Sequence, residues 1–379
     1  MVSSCMCKRW GPPSSLSIEE GLPAPQPGMG EVAIDVRACG VNFPDLLVIQ
    51  GKYQVKPKLP FVPGGEVAGT IAAVGEGCTR FRFGDRVVAF VGIGGFTTHL
   101  VAKESIVAPL PPGMDFVTAS SFLVAYGTAD YALRVRAKVR EGELVLVLGA
   151  SGGVGLAAVQ LAKAAGATVI AAASTPEKLE ACRASGADLL LNYRKVSDGS
   201  SKEEAASKGR GGGGGWRGAL RRLTGGRDVD IVVDNVGGAD CEAALRSMAF
   251  GGRYLVVGFA SGAIPSPPLN LVLLKETCIM GIFWGAWRER KPQESADQLR
   301  ELVRLFKLGL LRPVVSRVYP LHEAHLALED MGARRVVGKT VIDTTASLGS
   351  GVRGGGGSGS DTAERRGVRR AAGATMSRL

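Results

Sequence analysis

The sequence predicts an α/β protein in which a doubly wound parallel sheet is joined to a second, mainly β domain. Three observations carry this. From Leu144 to Ser174 an apolar strand run breaks at Gly149, turns through Ala150-Ser151-Gly152-Gly153-Val154-Gly155, continues at helical spacing to about Ala165 and resumes as a strand at Thr168. Before that unit, short alternating or apolar runs recur between Gly-rich turns with no long helix. After it, strand and helix patterns alternate as far as Phe283. Short strands in series suggest a small barrel-like domain, and strand–helix alternation specifies a parallel sheet.

Taken in order, residues 16–36 read as a short meander: LSIEE, a Pro/Gly turn at 23–30, and residues 31–37 alternating at period two. Further strands are expected at 67–74, 85–91 and 97–101. The helical pattern begins only near Asp115 and strengthens over 118–136. Within the alternating part, the second strand ends near Ala173, and Ser174-Thr175-Pro176-Glu177 offers a capping serine, a proline in the first turn and a glutamate three residues on. A helix to Ser185 and a strand at 189–192 follow. Strands at 229–234, 253–258 and 278–283 come later, with a helix at 240–248 between the first two. Residues 293–308 form an amphipathic helix, and the strand at 338–343 is expected to rejoin the first domain.

A chain of 379 residues, 45% hydrophobic, can bury a full core and is expected to hold two domains. The net charge of +11 suggests nucleic acid, but its distribution argues against that partner. Residues 195–227 carry a net +5 and residues 353–379 a net +4, and both segments are rich in glycine. They read as a disordered insertion, about 197–227, and a disordered tail, leaving a nearly neutral globular remainder. Seven scattered cysteines suit reduced thiols, and the start, MVSSCMCKRWGPP, has no apolar signal core, so the cytoplasm is the expected compartment. Residues 144–162 carry no charge over nineteen positions, long enough to span a bilayer. Their glycines, a serine, a glutamine and the adjoining Lys163 make a poor lipid-facing helix, so no membrane span is expected.

The glycine turn has a chemical reading. A tight turn needs a residue that tolerates positive φ, a pyrophosphate needs backbone with no Cβ in its way, and the helix must pack closely on the strand. Ser151, Gly152, Gly153, Val154 and Gly155 would then present amides at a helix N-terminus to a dinucleotide. An NAD site places an acid at the end of the second strand to accept from the ribose 2′-hydroxyl. Here Ala172-Ala173-Ser174 has none, and Lys178 lies one turn into the next helix. A 2′-phosphate would meet a hydroxyl, a cation and a helix N-terminus, so NADPH is the expected cofactor.

GVNFPDLLVIQGKY at 40–53, PGGEVAG at 63–69, VGEG and FGDRV at 74–87, GASGGVG at 149–155, and EAHLALEDM with GKTVI at 323–342 occur in this order. The chain thereby resembles the medium-chain dehydrogenase/reductase superfamily, and within it the zinc-free quinone oxidoreductase branch that includes zeta-crystallin. The match covers about residues 8–343. The resemblance implies a GroES-like catalytic domain (1–125, returning at 287–343) flanking a Rossmann NADPH-binding domain (126–286), with the active site between them. Zinc-dependent relatives place metal ligands where this chain has Asn42, Gly65 with Glu66, and Ser120. Only Glu66 keeps a suitable donor, so no metal is expected.

The same resemblance matches Tyr193 to a tyrosine packing beside the 2′-phosphate, and Asn42 and Tyr53 to positions facing cofactor or substrate. Since charge develops on the acceptor's carbonyl oxygen, Asn42 and Tyr53 are the candidate catalytic residues. Leu47 stands where some relatives carry a second tyrosine, which suggests a more apolar pocket. By position, Thr128, Asn235, Gly258, Phe259, Phe283 and Trp284 are further candidate contacts, with core or dimer packing the alternative to nicotinamide or substrate contact for Phe259, Phe283 and Trp284. His99, His322 and His325 read as structural or solvated. The implied activity is NADPH-dependent reduction of quinones or α,β-unsaturated carbonyls by a homodimer. Reduction of enoyl thioesters or alkenals, and a non-catalytic NADPH-binding or RNA-associated role, are the alternatives.

Overall fold

The computed structural model describes residues 1–197 and 215–346, all within one compact unit. The tail, and the first part of the expected insertion, lie outside the described residues. β1 (Val2–Met6) pairs antiparallel with β2 (Ser17–Leu22). Cys5 and Cys7 are buried, and their N–H groups donate to the carbonyls of Phe96 and Phe61. The meander expected over 16–36 does not form: β2 pairs with β1, and β3 (Glu31–Val41) takes its partners from later in the chain. Pro23, Pro25 and Pro27 lie in the connection between them and cannot donate to a ladder.

A helix that the periodicity does not announce follows, α1 (Phe43–Ile49). It is too short to show a repeat. Its start is marked instead by Asn42 in extended conformation, a proline in the first turn, and Asp45, whose carboxylate accepts from the Asn42 N–H at 2.7 Å. Next come β4 (Glu66–Val74), β5 (Arg86–Phe90), β6 (His99–Lys103) and β7 (Val107–Pro109). Two helices, α2 (Phe116–Ala119) and α3 (Leu123–Asp130), lead on into a π-helical turn at Tyr131–Ala137.

The alternating part then runs β8 (Leu144–Leu148), α4 (Gly153–Ala164), β9 (Thr168–Ala173), α5 (Pro176–Ala184), β10 (Leu189–Asn192), α6 (Tyr193–Ser197) and α7 (Gly215–Leu223). It continues with β11 (Val229–Asp234), α8 (Asp240–Arg246), β12 (Met248–Val256), α9 (Asn270–Lys275) and β13 (Cys278–Gly281). The six strands are all parallel, in the order β10-β9-β8-β11-β12-β13. The first strand is therefore central and the chain winds outward twice, as in the Rossmann order. β12 begins five residues earlier than expected. The cap of α5 is Thr175, whose hydroxyl accepts from Lys178 N–H, rather than Ser174.

β8 shows why the apolar run is continuous. Val145 and Val147 pack with α3 and α4 residues on one face, while Leu144, Leu146 and Leu148 pack with α7 and α8 residues on the other. Both faces of a parallel sheet are covered, so both registers must be apolar. Part of that cover corrects the expectation of disorder over 197–227. Trp216, Ala219 and Leu220 of α7 are buried under the sheet, and Trp216 stacks on Tyr193 with ring centroids 6.3 Å apart. The run of glycines hides a helix whose apolar face needs this sheet.

The chain closes with α10 (Trp284–Arg290), α11 (Pro292–Lys307), β14 (Val315–Pro320), α12 (Ala324–Gly332) and β15 (Lys339–Asp343). β15 pairs antiparallel with β3 and rejoins the barrel-like sheet, whose order is β14-β15-β3-β4-β5-β7 with β6 on β3. A buried amide locks α3, α10 and α11: Gln298 accepts from Trp284 Nε1 at 2.8 Å and donates to the Gly127 carbonyl and to Asp130. No helix among the described residues is long and apolar enough to cross a membrane.

The packing of α7 is testable. Trp216→Ala is expected to destabilise the protein by about 3 kcal/mol, the usual scale for emptying a buried tryptophan site. The measurement is a urea titration, in which the midpoint should fall. An unchanged midpoint would mean that α7 does not belong to the folded core.

Candidate active site

Asn42 joins β3 to α1, so its backbone is fixed by a sheet on one side and a helix start on the other. Its amide is held on both ends. Nδ2 donates to the Gly40 carbonyl and to Glu66 Oε2, each at 3.2 Å, while Oδ1 accepts from Lys339 Nζ at 2.6 Å. Both amide hydrogens are thus engaged, and a substrate oxygen would have to displace one partner. Glu66 is fully buried and also accepts from the Val124 N–H at 3.0 Å and from Lys339 Nζ at 3.2 Å. Lys339 was not singled out from the sequence, although the GKTVI run contains it. Its third donor bond goes to the Val41 carbonyl at 3.0 Å.

Asp45 sits behind this cluster, and burial pushes its carboxyl up to about 7. The Asn42 N–H and the Lys339 charge pull it down, and Glu66 pushes it further up. Tyr53 packs half-buried against the barrel core, where burial and then Asp45 raise its hydroxyl above the ordinary range. No hydrogen bond joins Tyr53 to Asn42. At the other positions matched to metal ligands, Ser120 is buried with its hydroxyl donating to the Val117 carbonyl, and Gly65 has no side chain. No group of three or more His, Cys, Asp or Glu able to hold a metal is assembled among the described residues. His99 pairs with Asp35 at 2.8 Å.

The glycine turn lies between β8 and α4. Gly149 has φ +65°, and a Cβ on Gly155 would fall 2.3 Å from the Gly149 carbonyl oxygen, so one glycine makes the turn and the other lets the helix approach the strand. Gly152 caps α4 without any side-chain hydrogen bond. Ser151 is buried, Val154 half-buried, and the Ser151 carbonyl accepts from the Gly338 N–H at 2.7 Å. The turn is therefore bonded to the residue before β15.

At the end of β9, Ser174 is buried and Lys178 reaches across to the Arg334 carbonyl, its Nζ donating at 2.7 Å. Burial lowers the Lys178 ammonium from its ordinary range, and the charges of Arg194 and Arg334 lower it further. Three cations thus converge beside β9, and Tyr193, which precedes Arg194, is stacked on Trp216. Arg194 and Arg334 were missed because they come from different parts of the chain.

Along the strand ends, Asn235 donates from Nδ2 to the Leu148 carbonyl at 2.9 Å, and its buried Oδ1 has no partner among the described residues. The loop carrying it is held by Asp234, which accepts from the N–H groups of Val236 and Gly237 and from Tyr254 Oη at 2.6 Å. Gly258 donates its N–H to the Asp234 carbonyl, and Phe259 is half-buried. Thr128 is half-buried on α3. Phe283 is exposed, whereas Trp284 is buried against Phe90 and bonded to Gln298, which makes it a core residue.

The Asp45 carboxyl makes a pH prediction with a definite sign. A carboxyl with a raised folded-state pKa holds an extra proton in the folded chain between about pH 4 and 7, so stability falls as pH rises through that window. In Asp45→Asn that part of the fall is expected to vanish. Urea midpoints at pH 5, 6, 7 and 8 for both proteins measure it, and identical pH profiles would contradict it.

Residues 28–112 match the alcohol dehydrogenase GroES-like domain family, and residues 153–303 match the zinc-binding dehydrogenase family. The chain is 36% identical over 329 residues to quinone oxidoreductase-like protein 2 of Bos taurus, covering 86% of this chain and 88% of that one. It is 31% identical over 344 residues to the quinone oxidoreductase of Sus scrofa, covering 90% and 98%. The crystal structure of Escherichia coli quinone oxidoreductase complexed with NADPH superposes with a TM-score of 0.79, at 28% identity over 90% of this chain and 99% of that chain. A Rossmann sheet and a GroES-like sheet joined by this constellation, with these relatives, place the chain in the medium-chain dehydrogenase/reductase superfamily, in its quinone oxidoreductase-like branch.

Proposed function

We propose that this chain is an NADPH-dependent, zinc-independent reductase of quinones or α,β-unsaturated carbonyls. The observation that carries the cofactor reading is the convergence of Lys178, Arg194 and Arg334 beside the end of β9, where Ala172 and Ala173 supply no acid. A 2′-phosphate suits three cations, and a bare 2′-hydroxyl has no use for them. The turn fits the rest of a dinucleotide. A Cβ built on Gly152 would meet only the Gly149 carbonyl oxygen, at 3.6 Å, so the surface over the uncapped N-terminus of α4 is open to an anion. The Escherichia coli relative was solved with NADPH, which agrees with this reading.

When bound, the nicotinamide supplies the hydride. The protein's part is to hold cofactor and acceptor in register and to shield them from water. The 126–286 part would hold the cofactor through Thr128, residues 151–155, Ser174, Lys178, Tyr193, Asn235, Gly258, Phe259 and Phe283. The 1–125 and 287–343 parts would hold the acceptor. Asn42, polarised by the ammonium on its Oδ1, would donate toward the acceptor's carbonyl oxygen, and Tyr53 would line the approach. Zinc independence is supported by the donor set: Lys339 Nζ is bonded to both Asn42 and Glu66, so a cation borne by the chain stands among the residues matched to metal ligands.

A homodimer is supported by β13, an edge strand of the parallel sheet with exposed Cys278 and Ile279, beside exposed Leu269, Leu273 and Leu274 around α9. Seven free cysteines suit a reducing cytoplasm.

The test is steady-state turnover with both cofactors on a panel of ortho-quinones, enals and enoyl thioesters. NADPH should be preferred, and Lys178→Ala should lower kcat/KM for NADPH by about ten- to a hundredfold, the loss of one charged hydrogen bond, while leaving NADH little changed. Comparable kcat/KM with NADH in the unmodified protein would refute the cofactor assignment. NADPH binding by fluorescence without turnover on any panel member would favour a non-catalytic role.

A further inference from the structure

The Lys339 side chain touches both halves of the proposed machinery. Its ammonium has three hydrogens and three acceptors: the Val41 carbonyl, Asn42 Oδ1 and Glu66 Oε2. Because an ammonium accepts nothing, the Asn42 amide oxygen must face it, and the Nδ2 group must face Gly40 and Glu66. A flipped amide would set N–H against N–H, so Lys339 selects one of the two orientations. Accepting from a cation also polarises the amide and makes its N–H groups stronger donors. Their present bonds, at 3.2 Å, lie at the long end of the range and are the ones an acceptor's oxygen could replace.

The stem of the same residue lies over the glycine turn. A Cβ on Gly153, the first residue of α4, would fall 2.7 Å from Lys339 Cδ and 3.1 Å from Cγ. The backbone makes the same connection, through the Gly338 N–H bond to the Ser151 carbonyl and the bridge between Gly152 and Gly338. Lys339 is only 6% exposed, so its place is set by packing as well as by its bonds. The stem thus packs against the turn, and the ammonium at its end holds the Asn42 oxygen.

We infer that Lys339 is a positioning residue that fixes the Asn42 amide for the acceptor's carbonyl oxygen and couples that amide to occupancy of the glycine turn. This rests on the reading of the turn as the cofactor site and of Asn42 as the donor. The closest rival is a purely structural role, in which Lys339 only neutralises buried Glu66.

A double-mutant cycle and a spectrum separate the two. Lys339→Met alone would strand the Glu66 charge, so it is made in a Glu66→Gln background, with Lys339→Gln as a second variant. Side-chain amide ¹H–¹⁵N spectra, with the Asn42 signal assigned by its loss in Asn42→Ala, are recorded with and without NADPH. In the unmodified protein and in Glu66→Gln, NADPH should shift the Asn42 signal, and in both Lys339 variants that shift should be lost while NADPH still binds. Where a panel acceptor turns over, Lys339→Met should lower kcat about ten- to a hundredfold relative to Glu66→Gln, with the NADPH Kd within a few fold, and should add nothing further when Asn42→Ala is also present in that Glu66→Gln background.

An Asn42 signal that ignores bound NADPH, or that responds equally in the Lys339 variants, overturns the coupling. Multiplicative losses of kcat in the double mutant overturn the positioning role. If NADPH binds and no acceptor turns over, the spectrum still decides the coupling. Failure of NADPH to bind the unmodified protein refutes the cofactor reading, and the inference falls with it.

Discussion

The buried ion pair between Lys339 and Glu66 joins two strands of the barrel-like sheet, and each partner also reaches toward the part of the chain that carries the parallel sheet, Glu66 at the start of α3 and Lys339 over the glycine turn. Glu66 opens β4 of the barrel-like sheet and reaches the start of α3 through the Val124 N–H. Lys339 opens β15, the strand that returns to that sheet after the chain has completed the parallel one. Removing two charges from water is costly, and the pair tolerates it because every remaining hydrogen of the ammonium has a partner and the carboxylate has three donors. Such a cluster demands one geometry. It sets Asn42, the start of α3 and the segment touching the glycine turn with respect to one another, which apolar contacts alone would fix less sharply.

The opposite electrostatic choice is made beside β9. There Lys178 is partly desolvated next to two further cations, an arrangement that raises the energy of the empty protein. A fold accepts like charges in proximity when something anionic relieves them, and this is the physical basis on which we propose a 2′-phosphate. The protein holds the cations in place with neutral carbonyls: Arg334 donates to Ala260 and Ser261, and its own carbonyl accepts from Lys178. None of those bonds brings a negative charge, and among the described residues no carboxylate pairs with Lys178 or Arg334.

Much of this was readable along the chain. The glycine turn, the alternation after it, the strands at 66–74 and 86–90, and the return of the last strand all follow from periods of two and 3.6 and from residues that permit or forbid backbone conformations. The misreadings have physical causes. The α1 helix of seven residues is shorter than two turns of pattern, and only its Asn42 and Asp45 cap marks it. The α7 helix sits after a run of glycine that suggested disorder, and its burial of Trp216 exists only because β8 and β11 provide a face. For β2, strand character was evident, but the choice between β1 and β3 as partner depended on the prolines between.

The sequence by itself determined the two kinds of sheet, the glycine turn after β8 and the missing acid after β9, because each is written in residues adjacent along the chain. Only the tertiary structure decided which side chains meet. Lys339 reaches Asn42 across 297 positions, and Lys178 reaches Arg334 across 156. A lysine in sequence is by default a solvated charge. It becomes a buried hydrogen-bond donor, or one of a group of unneutralised cations, only when folding removes its water and supplies its neighbours.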